Sequence, residues 1–277
     1  MITLYCSFLR PEEKSIVEEM KALGLPFDIC LSREGCRKEL SNTVVLLRTI
    51  SHHESQIFST YFECSNIRSI NSDRAIRLCT NKAALAALAE SHNIAQPKFK
   101  IIFTPAELDD LPTTLGYPFV IKPISSSWGR GVCRVRDTYC LETWVAGRES
   151  LDANHRQFPV LAQQFVEKPN YDIRVVVIGK NPVVAFRRVS EHWKTNTHNG
   201  ARVEPISISE EIRNLIKQII TMLGEGIYGV DLFETTDGKL LLNEVNHNPE
   251  FAHSSEVHGV NVARAIAQFA GEVSCAA

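Results

Sequence analysis

A chain of 277 residues with 44% hydrophobic and 22% charged side chains has the composition of a globular protein with room for more than one packed unit, which excludes disordered and fibrous architectures. Lys and Arg total 30 against 32 Asp and Glu, a formal charge of -2 that argues against broad phosphate-backbone binding, so no nucleic-acid partner is expected. The opening Met1-Ile-Thr-Leu-Tyr-Cys lacks the basic and apolar regions of a secretory signal, and no stretch approaches the roughly 18 apolar residues of a membrane span.

A cytoplasmic protein with no membrane partner is the expectation. The 8 cysteines form no CxxC pair and no Cys/His zinc pattern, which predicts reduced thiols.

Ile2 to Phe8 reads as an opening strand, followed by a helix from Pro11 that stops at Gly24. Phe27–Leu31 and Thr43–Leu47 are β-rich runs, so residues 1–91 are expected to form a small α/β domain. A short helix is predicted after Asn71, and a stronger one after Thr80, with Thr80 as its N-cap and Lys82 in its first turn. There Lys82 can face a phosphate beside exposed backbone N–H groups, or lie on the surface. Pro97 favours extended chain into Phe99. From Tyr117 the pattern becomes strand, glycine-rich turn, strand. Further strands are predicted at Leu161–Val166, Ile173–Ile178 and Val183–Phe186, the last two joined by a turn at Gly179-Lys-Asn-Pro. Glu210–Leu223 carries apolar residues at helical spacing, and Gly229–Phe233 and Leu240–Val245 read as an antiparallel pair turning near Thr235-Thr-Asp-Gly.

Alternation in Leu241-Leu-Asn-Glu-Val-Asn puts Glu244 and Asn246 on one face, and the hairpin can bring Asp231 beside them. Two carboxylates and an amide oxygen are suitable hard ligands for Mg²⁺, the alternative being a solvated hairpin face. Lys122 ends a strand that can aim its charge into a cleft. The segment Ser125 to Gly131 after it can curl over phosphates, because Gly129 and Gly131 allow close backbone approach. Neither the GxxxxGK[ST] nor the GxGxxG spacing is present. Asp172 and Arg174 share a strand face. Arg187 and Arg188 are adjacent on the next strand and point oppositely, and Arg188 is the one expected to meet a transferring phosphoryl group or an oxyanion. Trp193 can wall a pocket, Asn196 can donate to a carboxylate, and His247 and Asn248 lie beside the expected metal ligands. No serine or cysteine with a supporting base forms a triad.

Taken in order, several segments resemble the RimK-type branch of the ATP-grasp superfamily, and the resemblance covers essentially the whole chain. They are Arg10-Pro-Glu-Glu-Lys14, Asn81-Lys82, Ile121-Lys-Pro-Ile-Ser-Ser-Ser-Trp-Gly-Arg130, Glu167-Lys-Pro-Asn-Tyr-Asp-Ile-Arg174, His192-Trp-Lys-Thr-Asn196 and Asn243-Glu-Val-Asn-His-Asn-Pro-Glu-Phe251. Within that branch the similarity is nearest to ligases that attach α-aminoadipate to a small acidic amino-group carrier protein of the LysW kind.

The resemblance implies an α/β ATP-grasp fold with an N-terminal α/β domain (1–91), a central ATP-grasp subdomain (92–166) and a C-terminal one (167–277), with ATP between the last two. It implies an ADP-forming carboxylate–amine ligase using ATP and Mg²⁺, two ions, with Mn²⁺ able to substitute. Lys82, Lys122, Asp172 and the loop residues Ser126, Ser127, Trp128, Gly129, Arg130 and Gly131 are the implied nucleotide ligands. Gln164, Phe165 and Val166 would form the adenine hinge, met through backbone groups. Asp231, Glu244 and Asn246 would hold metal, and Arg174, Arg188 and Asn196 would act on the substrate or intermediate. Implied partners are the carrier protein and an amino acid, with a homo-oligomeric assembly. Arg10, Lys14, Arg33, Arg37 and Lys38 are candidates for a basic docking patch. A ligase adding glutamate to a carrier, a protein terminus or a small molecule is the alternative. Relatives commonly carry glycine where this chain has Ser126, and paired glycines where it has Asn199-Gly200.

Overall fold

The computed structural model describes residues 1–34, 40, 42–151, 158–195, 202–252 and 259–276. Strand β1 (Ile2–Cys6), helix α1 (Pro11–Ala22), β2 (Phe27–Leu31), β3 (Val44–Arg48), α2 (His52–Cys64) and β4 (Arg68–Ile70) build a parallel sheet in the order β2-β1-β3-β4. Every residue of β1 and β3 is buried, as expected for parallel strands covered on both faces. α1 opens with Pro11 at its first turn and a capping box in which Glu13 reaches back to the Arg10 backbone at 3.2 Å.

Two helices follow, α3 (Asp73–Cys79) and α4 (Lys82–Ser91). Thr80, expected as the cap of the second, instead closes the first: its hydroxyl donates to the Ile76 carbonyl at 2.7 Å. That leaves Asn81, in extended conformation, to accept from the Ala84 N–H at 3.0 Å, and Lys82 lies in the first turn as predicted, as its first residue. β5 (Phe99–Ile102), α5 (Leu111–Thr114), β6 (Phe119–Pro123), β7 (Cys133–Val135), α6 (Thr138–Leu151) and β8 (Val160–Gln164) form the next unit. Its antiparallel sheet, in the order β5-β8-β6-β7, packs around Ile102, Leu111, Phe119, Ile121 and Leu141.

The remaining elements are β9 (Tyr171–Gly179), β10 (Asn181–Val189), β11 (Arg202–Ile206), α7 (Glu210–Leu223), β12 (Gly226–Glu234), β13 (Leu240–Asn246) and α8 (Val262–Cys275). Their antiparallel sheet runs β11-β10-β9-β12-β13, with Gly179 at φ 63° making the tight turn into β10. Ile173, Val175 and Val177 of β9 pack with Ile212, Leu215, Ile216 and Ile219 of α7. Val176 and Ile178 face the other way, into a core shared with β1, α1 and α8. This sheet is therefore buried on both sides, and its polar end at Asp172 and Arg174 is held against a rigid support.

Among the described residues Cys6, Cys64, Cys79, Cys133, Cys140 and Cys275 are free thiols, as expected, Cys30 is buried in β2, and Cys36 lies outside the described residues. Among the described residues no helix is long and apolar enough to cross a membrane.

Candidate active site

Cross-strand register assembles the charged groups into a row. Arg188 of β10 stands opposite Asp172 of β9, Arg174 of β9 opposite Asp231 of β12, and Asp231 opposite Glu244 of β13. Arg188 donates to both oxygens of Asp172 at 2.7 and 2.8 Å and lies 3.0 Å from Asp231. Arg174 forks onto Asp231 through Nε and through Nη2, the latter at 2.8 Å. Burial pushes the Arg188 guanidinium down, but Asp231 and Asp172 more than reverse that and raise it. Burial likewise raises the Asp231 carboxyl against the pull of Arg174 and Arg188. The two adjacent arginines do separate: Arg187 is 37% exposed, stacks 4.3 Å over Tyr171 and pairs with Glu234 at 3.5 Å.

Above this row sit two lysines. Lys122 of β6 donates to Asn243 Oδ1 at 2.9 Å, and Lys82 of α4 lies 3.6 Å from Glu244 while its ammonium also donates to the Ser126 carbonyl. Burial lowers the Lys122 ammonium to about 8, with Glu244 pulling the other way. For Glu244 burial alone would raise the pKa, but Lys82 and Lys122, followed by Arg174 and Arg188, bring it down to about 2. Asn243 was not anticipated, because alternation puts it on the face opposite Glu244. A bulge opposite Asp231 and Leu232 leaves Asn243 unpaired and lets it share the cleft with Glu244.

The loop after β6 turns over the lysines with Trp128, Gly129 and Gly131 all at positive φ. A side chain at Gly131 would meet Pro123 Cγ at 2.7 Å, which is why glycine stands there. Ser126, Ser127, Trp128 and Gly129 line the cleft. Arg130 stacks 4.5 Å over the Trp128 ring, and it and Gly131 lie just outside the lining. The Ser126 hydroxyl is buried without a hydrogen-bond partner among the described residues.

Val120, Phe165, Val166, Trp193 and Phe233 make one end of the cleft flat and apolar. The Gln164 and Phe165 N–H groups there donate to the Lys98 and Pro118 carbonyls at 2.8 and 3.3 Å. Arg134 stacks against both Phe165 and Trp193. Lys168, missed in the sequence, donates to the Tyr171 carbonyl at 2.7 Å and lies 5.8 Å over Phe233. Asn196, Asn199 and Gly200 lie outside the described residues.

The opposite end is built partly by the first sheet. His52 at the start of α2 and His247 after β13 have ring centroids 6.0 Å apart and line the cleft together with Arg10 and Asn248. His247 is buried with Nδ1 unpartnered, and burial, then His52 and Arg48, lower it to about 3, so its ring is neutral. Sequence gave no sign of His52, since α2 carries no strong apolar period. Arg10, expected on a docking surface, instead lies in the cleft wall, drawn in by Glu13, which takes its Nε and Nη2 at 2.9 and 2.7 Å. Arg37 and Lys38 lie outside the described residues.

Asp231, Glu244 and Asn246 converge as expected, with Asn246 Nδ2 3.5 Å from Glu244 Oε1. Among the described residues no group of three or more His, Cys, Asp or Glu is placed to hold a metal ion. Two carboxylates and an amide oxygen leave coordination positions open for phosphate and water oxygens, which suits a hard cation bound with a nucleotide. Asp231 accepts two Arg174 N–H groups and lies 3.0 Å from Arg188 Nη2, and a carboxylate offers about four lone-pair sites, so room remains for a cation. The donor set fits Mg²⁺.

Two antiparallel sheets facing each other across a cleft, with lysines, a glycine-rich loop and paired carboxylates between them, define an ADP-forming ATP-grasp ligase. Residues 79–270 match the RimK-like ATP-grasp domain. The chain is 35% identical over 263 residues to the alpha-aminoadipate–LysW ligase LysX of Sulfolobus acidocaldarius, covering 92% of this chain and 95% of that one. It is 24% identical to the glutamate–LysW ligase ArgX of Sulfurisphaera tokodaii, covering 98% of each. The fold matches a RimK-domain ATP-grasp protein of Sphaerobacter thermophilus with a TM-score of 0.79 at 23% identity, covering 97% of this chain and 98% of that one. The protein belongs to the RimK-like ATP-grasp family.

Proposed function

We propose that this carboxylate–amine ligase joins α-aminoadipate to the carboxyl-terminal glutamate of a small acidic carrier protein of the LysW kind, in lysine biosynthesis. The observation that carries this reading is the 35% identity to an α-aminoadipate ligase across nearly the full length of both chains, against 24% to a glutamate ligase. Three units, 1–91, 92–166 and 167–277, would divide the work, one sheet for each. The nucleobase is assigned to the apolar end at Phe165 and Phe233, and the phosphates to Lys82, Lys122 and Ser126. Asp231, Glu244 and Asn246 would hold Mg²⁺, which when bound offsets the negative charge of the phosphates.

The terminal glutamate carboxylate attacks the γ-phosphorus and ADP leaves. Lys82 and Lys122 reduce the repulsion between the two anions during that step. The neutral α-amine of the incoming amino acid then attacks the acyl carbon, Arg188 or Arg174 stabilises the oxyanion, and phosphate departs, taking up the proton that the nitrogen loses as the amide forms. No protein nucleophile is required. Asn196 is assigned to the same substrate side. A homo-oligomer is proposed for the assembly, and a monomeric mass by light scattering would contradict it.

The test is an ATP-dependent ligation with intact carrier, its free carboxyl-terminal peptide and free glutamate as acceptors, each with α-aminoadipate and glutamate as donors, products being read by mass. Addition of α-aminoadipate to the carrier supports the proposal. Reaction only with free acceptors, or only with glutamate as donor, rejects it while leaving the ligase chemistry intact.

A further inference from the structure

The segment after β13 is fastened to the first sheet and its helices. Asn71 Nδ2 donates to the His247 carbonyl at 3.1 Å, and Asn248 Nδ2 to the Thr49 carbonyl at 2.9 Å. Arg48, 1% exposed, donates to the Pro249 carbonyl at 3.2 Å, and Glu12 accepts from the Ala252 N–H at 3.4 Å. Arg10 Nη2 reaches Asn248 Oδ1 at 3.4 Å. This seam forms the wall of the cleft at the end away from the apolar nucleobase pocket, where a γ-phosphate and its acceptor must meet.

Arg10 is the cation of that wall. Glu13 grips its Nε and Nη2, and Glu13 is in turn fixed by buried Arg48 Nε at 3.0 Å, so the guanidinium is held rigid. Among the described residues Nη1 has no hydrogen-bond partner, and the Arg10 side chain keeps 14% exposure where it lines the cleft. Glu13 lies between the two arginines, and Glu12 and Glu250 also act on Arg10, so what the cluster offers is the unpartnered Nη1 and not a net positive charge. Glu12 is turned toward Ala252, and Glu250 stands exposed at the rim. His247, which also lines the cleft, is 6% exposed with Nδ1 buried and unpartnered among the described residues.

Spacing indicates which substrate group Arg10 meets. Asn248 follows Asn246 by two residues, at most about 7 Å of chain. Arg10 Nη2 rests on Asn248 Oδ1 at 3.4 Å, which ties it to the stretch of chain next to the proposed metal ligands. In an amino acid whose amine reacts at the phosphates, the α-carboxylate stays next to the amine, whereas a side-chain carboxylate three or four carbons further along reaches that distance. We propose that Arg10 is the specificity-determining anchor for the side-chain carboxylate of a dicarboxylic amino-acid donor. This rests on the amino-acid ligase reading above but does not depend on the carrier protein.

The test measures direct binding of α-aminoadipate, glutamate and 2-aminohexanoate by calorimetry. The full-length protein is first loaded with a nonhydrolysable ATP analogue and Mg²⁺. Wild type should prefer the dicarboxylic acids to 2-aminohexanoate by about 10- to 100-fold, and Arg10→Gln should reduce that preference to near unity. Arg10→Lys, which keeps the charge but not the fork, should retain part of it. Binding of the ATP analogue should be unchanged in both variants, which establishes that they are folded. If Arg10→Gln weakens all three ligands equally, or leaves the preference intact, the assignment is overturned. Binding with the expected preference in a protein that ligates nothing to a carrier would reject the carrier reading and leave this one standing.

Discussion

Arg188 and Asp172 form a two-pronged ion pair, at 2.7 and 2.8 Å, in which both side chains are almost wholly buried. A buried carboxylate that loses its arginine is left uncompensated. Arg188→Ala is therefore expected to destabilise the fold by about 3–5 kcal/mol, measured by urea unfolding. Arg188→Lys keeps the charge without the fork and should fold more stably than the alanine variant while losing at least about 10²-fold in ADP release. Wild-type turnover in the lysine variant would show that the fork plays no part in the reaction.

Glu244→Ala tests the proposed metal role. Glu244 keeps 29% exposure in the cleft, while its neighbours Leu242 and Val245 hold the core. Activity should fall at least about 10²-fold, and the unfolding midpoint should fall as well, because Lys82 and Lys122 lose the carboxylate that they hold ionised. Near-normal ADP production at saturating Mg²⁺ would reject the proposed metal role of Glu244.

Lys122 sets an alkaline limit. Burial lowers it from 10.5 to about 8, so between those values the unfolded chain carries a proton that the folded chain does not. Stability should therefore rise with pH across that window from this group. If Lys122 meets phosphate as proposed, the charge it offers is lost over the same range, so kcat/KM for ATP should fall as pH passes about 8. A profile that stays flat across the window, or one identical in Lys122→Arg, would exclude Lys122 as the titrating group.

Asn71 is buried and satisfies three backbone groups at once, the N–H and carbonyl of Ile227 and the carbonyl of His247, at 2.6, 2.9 and 3.1 Å. Asn71→Ala leaves them without partners, at about 1–3 kcal/mol for each that stays dry. A loss of several kcal/mol is expected as a lower denaturant midpoint with an unchanged slope. A midpoint within experimental scatter of wild type would mean that water replaces the amide.

Period-two alternation was enough to place Glu244 and Asn246 on one face, and the hairpin signal brought Asp231 opposite them. Adjacent arginines on a strand must diverge, which separated Arg187 from Arg188 before any coordinates. What alternation cannot reveal is where it fails: the bulge that turns Asn243 into the cleft depends on pairing with β12, not on residues 240–246 alone. The helix start moved from Thr80 to Asn81 because a threonine hydroxyl can bond backward to the carbonyl four residues earlier, a competition that sequence does not decide. Arg10 read as surface charge because its partners Glu13 and Asn248 stand 3 and 238 residues away, and only the short-range one was in view.

The fastening of residues 247–252 to Arg10, Glu12, Arg48, Thr49 and Asn71 has a consequence for descent within such a family. Recombination that exchanged only the amino-terminal third between two ligases would bring together halves of a seam that had been selected apart. Lineages that change their amino acid would therefore have to alter both stretches in step, and hybrids with one crossover between them would be the least fit.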